Sequence, residues 1–150
     1  MTDDAHADSL VYELTQLGYT VAELIHHDDR GRLATARLKS SGRPPMRIDL
    51  IFAFTGIESE IVETAEEGHI LSDINVRVAT IPSLIAMKTL AADWNRRPQD
   101  ILDLQHLITA ATPPELEATR ELLELITKRG YNGTKDLQKH LDGYIEQFLD

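Results

Sequence analysis

The sequence predicts an α+β fold with a mostly antiparallel sheet and a helical C-terminal part. Two observations support this fold class: β-like alternation of apolar and polar residues dominates residues 20–54, and apolar residues at helical spacing dominate from residue 81 onward. The 150 residues, 42% of them hydrophobic, contain no repeat and no long linker. We therefore predict one domain, sheet-rich over residues 1–80 and helical over residues 81–150.

In the first half, local patterns predict a helix, three strands and a second helix. The predicted elements are a helix stopped by Gly18, strands over 20–26, 33–39 and 46–54, and a helix over 58–67. In the strand over 46–54, Ile48 and Leu50 share one face, and Asp49 and Ile51 share the other. Because both faces are partly apolar, this strand is predicted to be central in the sheet.

In the second half, two short β-like stretches precede four helices. The β-like stretches cover 69–75 and 76–79, and the helices are expected to start at Ile81, at Pro98, after Thr112 and after a cap at Thr134. The last helix carries an apolar stripe of five residues: Leu137, Leu141, Tyr144, Ile145 and Phe148. This stripe can pack on the chain's own core or form an interface.

Composition excludes several classes of function. The chain has 25 acidic and 15 basic residues, a net charge of −10, so non-specific binding to duplex DNA is not expected. It has no cysteine and no apolar run near the roughly 20 residues of a membrane span. A cytoplasmic location without a membrane partner is predicted. Five arginines between positions 30 and 47 indicate either a soluble hairpin or a locally positive face.

Three groups of residues are candidates for chemistry. Asp49, inside an apolar strand, is either an ion-pair partner of Arg37 or Arg47, or a metal ligand or general base. Lys88, on an apolar helix, either extends to solvent or binds a phosphate. The third group lies near Pro98, where capping and salt bridges are sufficient to explain the charges: Arg96, Arg97, Asp100 and Asp103. The adjacent His26 and His27 point to opposite faces of a strand and make a poor metal site.

Several runs together resemble the AbiEii-type toxin nucleotidyltransferases, of the DNA polymerase β-like nucleotidyltransferase superfamily. The runs are Arg47–Ala53, Gly56–Glu58, Glu60–Val62, Leu84–Lys88, Arg97–Leu104, Gly31–Thr35 and Arg129–Tyr131. The resemblance covers nearly the whole chain. It implies a sheet of nucleotidyltransferase type, a nucleoside triphosphate as substrate, Mg²⁺ as cofactor and an antitoxin as partner.

The resemblance also implies roles for individual residues. Asp49 matches the third metal-binding carboxylate of such enzymes, and Lys88 matches a lysine near the nucleotide phosphates, where Arg97 would add charge. Asp100 and Asp103 match a helix that borders the site and would support it; we expect them to contact Arg96, Arg97 or Lys88 and not a metal. We also expect the Asp49 carboxylate to lie on the sheet face that approaches Lys88. Three carboxylates would hold the ions that clamp the attacking and leaving oxygens.

The sequence departs from the family pattern at its start. The Gly-Ser turn and the two alternate aspartates that should precede the first helix are absent, and the adjacent Asp3 and Asp4 are poor substitutes. We therefore expect a catalytically incomplete nucleotidyltransferase-like protein with weak or absent Mg²⁺ binding. The alternative is a non-enzymatic binding or toxin–antitoxin assembly module. Absence of a paired strand would leave an exposed sheet edge, which predicts a homodimer.

Overall fold

The computed structural model describes residues 4–26, 33–52, 55–71, 74–93 and 98–149. For residues 4–6, 69–71 and 74 it describes the backbone only. The predicted α+β class is confirmed, with helices and antiparallel strands in separate stretches of the chain. The elements are α1 (Asp4–Gln16), β1 (Thr20–His26), β2 (Leu33–Lys39), β3 (Arg47–Ile51), α2 (Glu58–Thr64), β4 (Glu66–Leu71), β5 (Ile74–Val78), α3 (Ile81–Ala91), α4 (Pro98–Ala110), α5 (Pro113–Lys128) and α6 (Leu137–Leu149).

The chain forms two compact units, Met1–Phe54 and Thr55–Asp150. The first unit contains α1 and an antiparallel sheet with the order β1-β2-β3. The second contains the β4–β5 hairpin and five helices of the described chain. The predicted division at residue 80 groups this hairpin with the sheet-rich part, whereas the compact units divide at residue 54.

In the first unit the central strand is β2, and the prediction that β3 is central is wrong for the described residues. Alternate side chains of β2, those of Ala34, Ala36 and Leu38, are buried on one face of the sheet. The apolar residue Ile51 misled the prediction, since it lies on the charged face of β3 and is 60% exposed. An exposed apolar side chain on an edge strand lowers the stability of the fold only slightly.

Local signals set most helix ends. Gly18, at φ 90°, follows α1 and stops it as predicted, because this backbone conformation is unfavourable for residues with a Cβ. The start of α5 is also confirmed: the Glu115 carboxylate accepts hydrogen bonds from the backbone N–H and the hydroxyl of Thr112, both at 2.7 Å, and Pro113 follows.

The second predicted helix is shorter than expected, ending at Thr64 rather than Glu67. Ala65 adopts φ −59° and ψ 136°, and the next residue begins β4. The Arg77 guanidinium on β5 donates to the carbonyls of Glu63 and Ala65, at 3.2 and 2.9 Å. A tertiary contact therefore supplies hydrogen-bond donors to carbonyls at the end of α2, and the residues that follow form a strand. The predicted boundaries at 69–75 and 76–79 are accordingly displaced to those of β4 and β5.

The predicted cap of α6 at Thr134 is wrong by two residues. The helix begins at Leu137, and the Asp136 carboxylate accepts a 3.1 Å hydrogen bond from the backbone N–H of Lys139. Asp136 also provides the carbonyl bonded by His140 N–H, at 3.0 Å. Asp and Thr are both good capping residues, so the sequence alone did not distinguish them.

The core of the second unit is formed by α3 to α6 around the nearly all-apolar helix α3. Its fully buried side chains include Ile85, Leu104, Leu123 and Leu141. The α6 stripe belongs to this core: Leu137, Leu141 and Tyr144 are buried, and Ile145 and Phe148 pack against them. The stripe is therefore a packing surface and not a free interface. Within the described residues, no helix is both long and apolar enough to cross a bilayer.

Candidate functional site

Asp49 lies on the charged face of the sheet, directly opposite Arg37 on β2. Its carboxylate oxygens are 3.5 Å from Nε of Arg37 and 3.4 Å from Nε of Arg47, and its side chain is 29% exposed. Arg37 also donates to Glu23 on β1 at 2.6 Å. The hydrogen bond to Glu23, with smaller support from Asp49, holds the pKa of Arg37 above its usual range. Of the two roles that the sequence left open, the structure shows the ion pair.

In the described part of the chain, the charged groups nearest to Asp49 are cations and not the ligands that Mg²⁺ prefers. Mg²⁺ prefers several oxygen ligands, usually carboxylates and water. The groups within ion-pair distance of Asp49 in the described chain are instead the two guanidiniums of Arg37 and Arg47. Across the described residues, no three acidic or histidine side chains come together as a metal site would require. The role of Asp49 as a metal ligand therefore stays a prediction from the resemblance alone.

Lys88 lies in the last turn of α3 and faces the first two turns of α4. Its Nζ donates to Asp100 Oδ1 at 2.6 Å and to Asp103 Oδ2 at 2.7 Å. Asp103 also accepts a 3.2 Å hydrogen bond from Gln99. The two aspartates, three residues apart, share one face of the helix, as the sequence predicted. The sequence predicted that they contact Arg96, Arg97 or Lys88, and the structure shows the contact with Lys88.

Hydrogen bonds within this cluster, which we call the Lys88 triad (Lys88, Asp100 and Asp103), shift the pKa values of Lys88 and Asp103. Burial alone would lower the pKa of Lys88, but the hydrogen bonds to both aspartates outweigh it and raise that pKa above its usual range. Hydrogen bonds from Lys88 and Gln99 lower the pKa of Asp103. The Asp100 side chain is only 9% exposed, and its Oδ1 lies 2.6 Å from the Lys88 ammonium. Lys88 is therefore held between two carboxylates and does not simply extend to solvent.

Arg97, which is expected at the site, lies outside the described part of the chain. So do other residues weighed from the sequence: Arg96, Asp3, His27 and the side chain of Asp4. Binding of nucleotide by Arg97 thus stays a prediction. Asp49 belongs to the first compact unit and Lys88 to the second, so their expected approach to one another also stays a prediction.

Sequence reasoning missed a cluster in the second unit that joins three of the quoted runs. Arg129, which follows α5, donates to Glu60 through both terminal nitrogens, at 3.0 and 2.6 Å, and to the carbonyl of Gly56. The hydrogen bonds from Arg129 lower the pKa of Glu60 to about 2. Gly56 has φ 81°, and a Cβ there would lie 2.5 Å from the Tyr131 ring. Arg129 and Tyr131 thus hold the segment before α2. In the sequence, Gly56 indicates a turn at this place but does not indicate which residues contact it.

A groove of about 320 Å³ lies where α5 approaches the start of α6. Its lining includes Asn132, Lys135 and Asp136, and it includes none of the predicted site residues. Lys135 is already engaged, since its Nζ donates to the carbonyls of Leu90 and Ala92 at the end of α3. The groove therefore gives no support to the predicted site.

All the quoted runs lie within the part of the chain that matches a known family. The sequence profile described as nucleotidyl transferase AbiEii toxin, type IV toxin–antitoxin system, matches residues 6–149. The chain therefore belongs to this family of nucleotidyltransferase toxins. No curated protein matches the sequence.

Proposed function

We propose that this chain is a nucleotidyltransferase-like member of the AbiEii toxin family that does not transfer nucleotides through Asp49 and Lys88 alone. One observation carries the proposal: each of these two side chains is held by opposite charges within its own unit. A catalytic carboxylate or phosphate-binding lysine must offer its charge to the substrate instead.

The ion pairs that would have to break before Asp49 or Lys88 could bind a ligand support this proposal. For Asp49 to bind Mg²⁺, the carboxylate would have to leave both Arg37 and Arg47. For Lys88 to bind a phosphate, the ammonium would have to leave Asp100, whose side chain is nearly buried, and Asp103. Asp100 would then lose a 2.6 Å ion pair in a partly desolvated place. Weak Mg²⁺ binding and, at most, a weak anion site at Lys88 and Arg97 follow from the proposal.

The alternative function is a non-enzymatic binding or assembly module that works with an antitoxin. The family belongs to a type IV toxin–antitoxin system, which supports an antitoxin as partner. The first unit also exposes large apolar side chains on and after α1, with Tyr12 64% and Leu17 74% exposed. Such side chains favour a protein partner over a purely catalytic role.

The main test is a transfer assay. The 150-residue chain is incubated with labelled nucleoside triphosphates, Mg²⁺ and candidate acceptors such as tRNA and protein. We expect no label transfer above background from the wild-type chain or from Asp49→Ala. The control is Asp142→Ala, which removes an exposed aspartate paired with Arg120. Transfer that persists in Asp142→Ala and disappears in Asp49→Ala would overturn the proposal.

A second test distinguishes a nucleotidyltransferase from a non-enzymatic binding module. The genomic DNA upstream of the Met1 codon is read for an in-frame Gly-Ser turn and two alternate aspartates. Their presence would favour an enzyme whose metal site is completed by those residues. An in-frame stop codon directly upstream would favour the binding module.

A further inference from the structure

The outer edge of β3 is a candidate surface for protein association. In the described part of the chain, β3 pairs with β2 alone. Side chains at both ends of this strand are exposed: Met46 and Ile51 are each 60% exposed, and the side chain of Arg47 is 67% exposed. An edge with these properties invites pairing with another strand.

Two hydrogen bonds determine which backbone groups of β3 point outward. Ser40 N–H donates to the Met46 carbonyl and Phe52 N–H donates to the Ala34 carbonyl, both at 2.9 Å. These bonds continue the ladder in which Asp49 lies opposite Arg37. In an antiparallel ladder, residues that bond to the partner strand alternate with residues that do not. The odd-numbered residues of β3 therefore direct their N–H and C=O groups away from β2: Arg47, Asp49 and Ile51.

We propose that β3 pairs with β3 of a second copy of this chain in a two-fold antiparallel arrangement, with Arg47 opposite Asp49 of the partner subunit. Both residues have outward backbone groups, so each such pair can exchange two hydrogen bonds. The two-fold axis passes midway between Ile48 and Ile48 of the partner subunit, which face each other. The interface joins two three-stranded sheets into one six-stranded sheet.

Charge selects this register over its neighbours. A shift that centres the pairing on Asp49 places two carboxylates opposite each other, and a shift that centres it on Arg47 places two guanidiniums together. Like charges directly opposite are unfavourable, whereas opposite charges stabilise an antiparallel pair. Charged residues often protect a sheet edge from pairing. Here an arginine and an aspartate two positions apart instead make the edge complementary to itself.

The apolar face fits the same register. Residues opposite one another in β2 and β3 share a face, so Ile48 and Leu50 lie with the buried Leu38 and Ala36. In the proposed pair, Met46 lies opposite Leu50 of the partner subunit, and the two Ile48 side chains meet at the axis. Charges therefore face charges on one side of the joined sheet, and apolar side chains face apolar side chains on the other.

The first test uses two charge-reversed variants. Arg47→Asp gives a β3 with two aspartates, and Asp49→Arg gives a β3 with two arginines. In the proposed register, each variant opposes like charges in its own homodimer, whereas a mixture of the two opposes unlike charges. By sedimentation equilibrium, we expect a wild-type dimer, at least about tenfold weaker association of each variant alone and recovery in the equimolar mixture.

The control is Arg43→Asp, which makes the same charge change at an exposed turn residue outside β3. It should associate as tightly as the wild type. A wild-type chain that is monomeric at every concentration would overturn the proposal. Dimerisation of Arg47→Asp with unchanged affinity would overturn the register, because pairing centred on Asp49 does not place residue 47 against a charge.

The second test does not depend on charge reversal. The chain has no cysteine, so a single introduced cysteine reports one contact. In the proposed register, residues 48 form a non-hydrogen-bonded pair with Cα atoms about 4.5 Å apart, which permits a disulfide. Ile48→Cys should give a covalent dimer on mild oxidation. Leu50→Cys, whose copies would lie about 13 Å apart along the strands, should not. The reverse result would overturn the proposal.

Discussion

Replacement of Lys88 by methionine tests whether the Lys88 triad is a structural tie. The substitution keeps the length and much of the packing of the side chain and removes its charge. Asp100 and Asp103 then lose hydrogen bonds of 2.6 and 2.7 Å. Two like charges remain on one face of α4, and the one on Asp100 is nearly buried.

The expected loss of stability follows from burial. Removal of one partner from a fully buried ion pair costs about 3–5 kcal/mol. The Lys88 and Asp103 side chains are 31% and 35% exposed, so water can compensate part of the loss. We expect the free energy of unfolding to fall by about 2–3 kcal/mol in Lys88→Met, measured by urea denaturation at neutral pH.

Lys128→Met is the matched control. Lys128 pairs with Glu124 at 2.9 Å on α5, but both side chains are at least 60% exposed. Such a pair contributes about 0.5 kcal/mol or less. If Lys88→Met costs no more than Lys128→Met, the triad is not a tie. A loss of nucleotide binding with unchanged stability would instead assign Lys88 to the phosphates and refute the argument.

The remaining predictions concern Asp103, Glu60 and the start of α6. Asp103→Asn should cost about 1 kcal/mol of stability and leave nucleotide affinity, measured by calorimetry, unchanged. Because the folded pKa of Glu60 is about 2 against 4.5 ordinarily, its stabilising effect is complete above pH 4.5 and is lost as the pH falls towards 2. Arg129→Lys should shift the Glu60 titration, followed by NMR, towards 4.5; an unchanged titration would contradict the assigned cause. Asp136→Ala should cost about 1 kcal/mol in urea denaturation and Thr134→Ala less than about 0.5; equal losses would contradict the observed cap.

Local sequence patterns predicted the first unit well except for β3, which lies at the edge of the sheet and covers Arg47–Ile51 rather than 46–54. The bounds of β1 and β2 agree with the prediction, because alternation and turn residues are local properties of the chain. The position of a strand within its sheet depends instead on which partners pair with it. Ile51 gave β3 the appearance of a central strand, although this side chain remains exposed.

The candidate site was predictable in part. The spacing of Asp100 and Asp103 on one helix face was sufficient to predict shared contacts, and Lys88 proved to be the shared partner. The contact of Arg129 with Glu60 joins residues 69 positions apart, and no periodicity reports such a pair. The end of α2 was missed for the same reason, because the bonds that satisfy it come from β5.

The contacts of Arg129 and Lys135 have a consequence for synthesis of the chain. Arg129 holds the carbonyl of Gly56 and the Glu60 side chain, and Lys135 holds the last carbonyls of α3. A nascent chain emerges from its N-terminus, so α2 and α3 are made long before the residues that complete their ends. Until Arg129 and Lys135 have emerged from the ribosome, α2 and α3 lack these cations, and core side chains of the second unit lack part of their cover. Apolar surface exposed in this way is open to proteases and aggregation, so the second unit depends on prompt synthesis of the segment that carries the two cations.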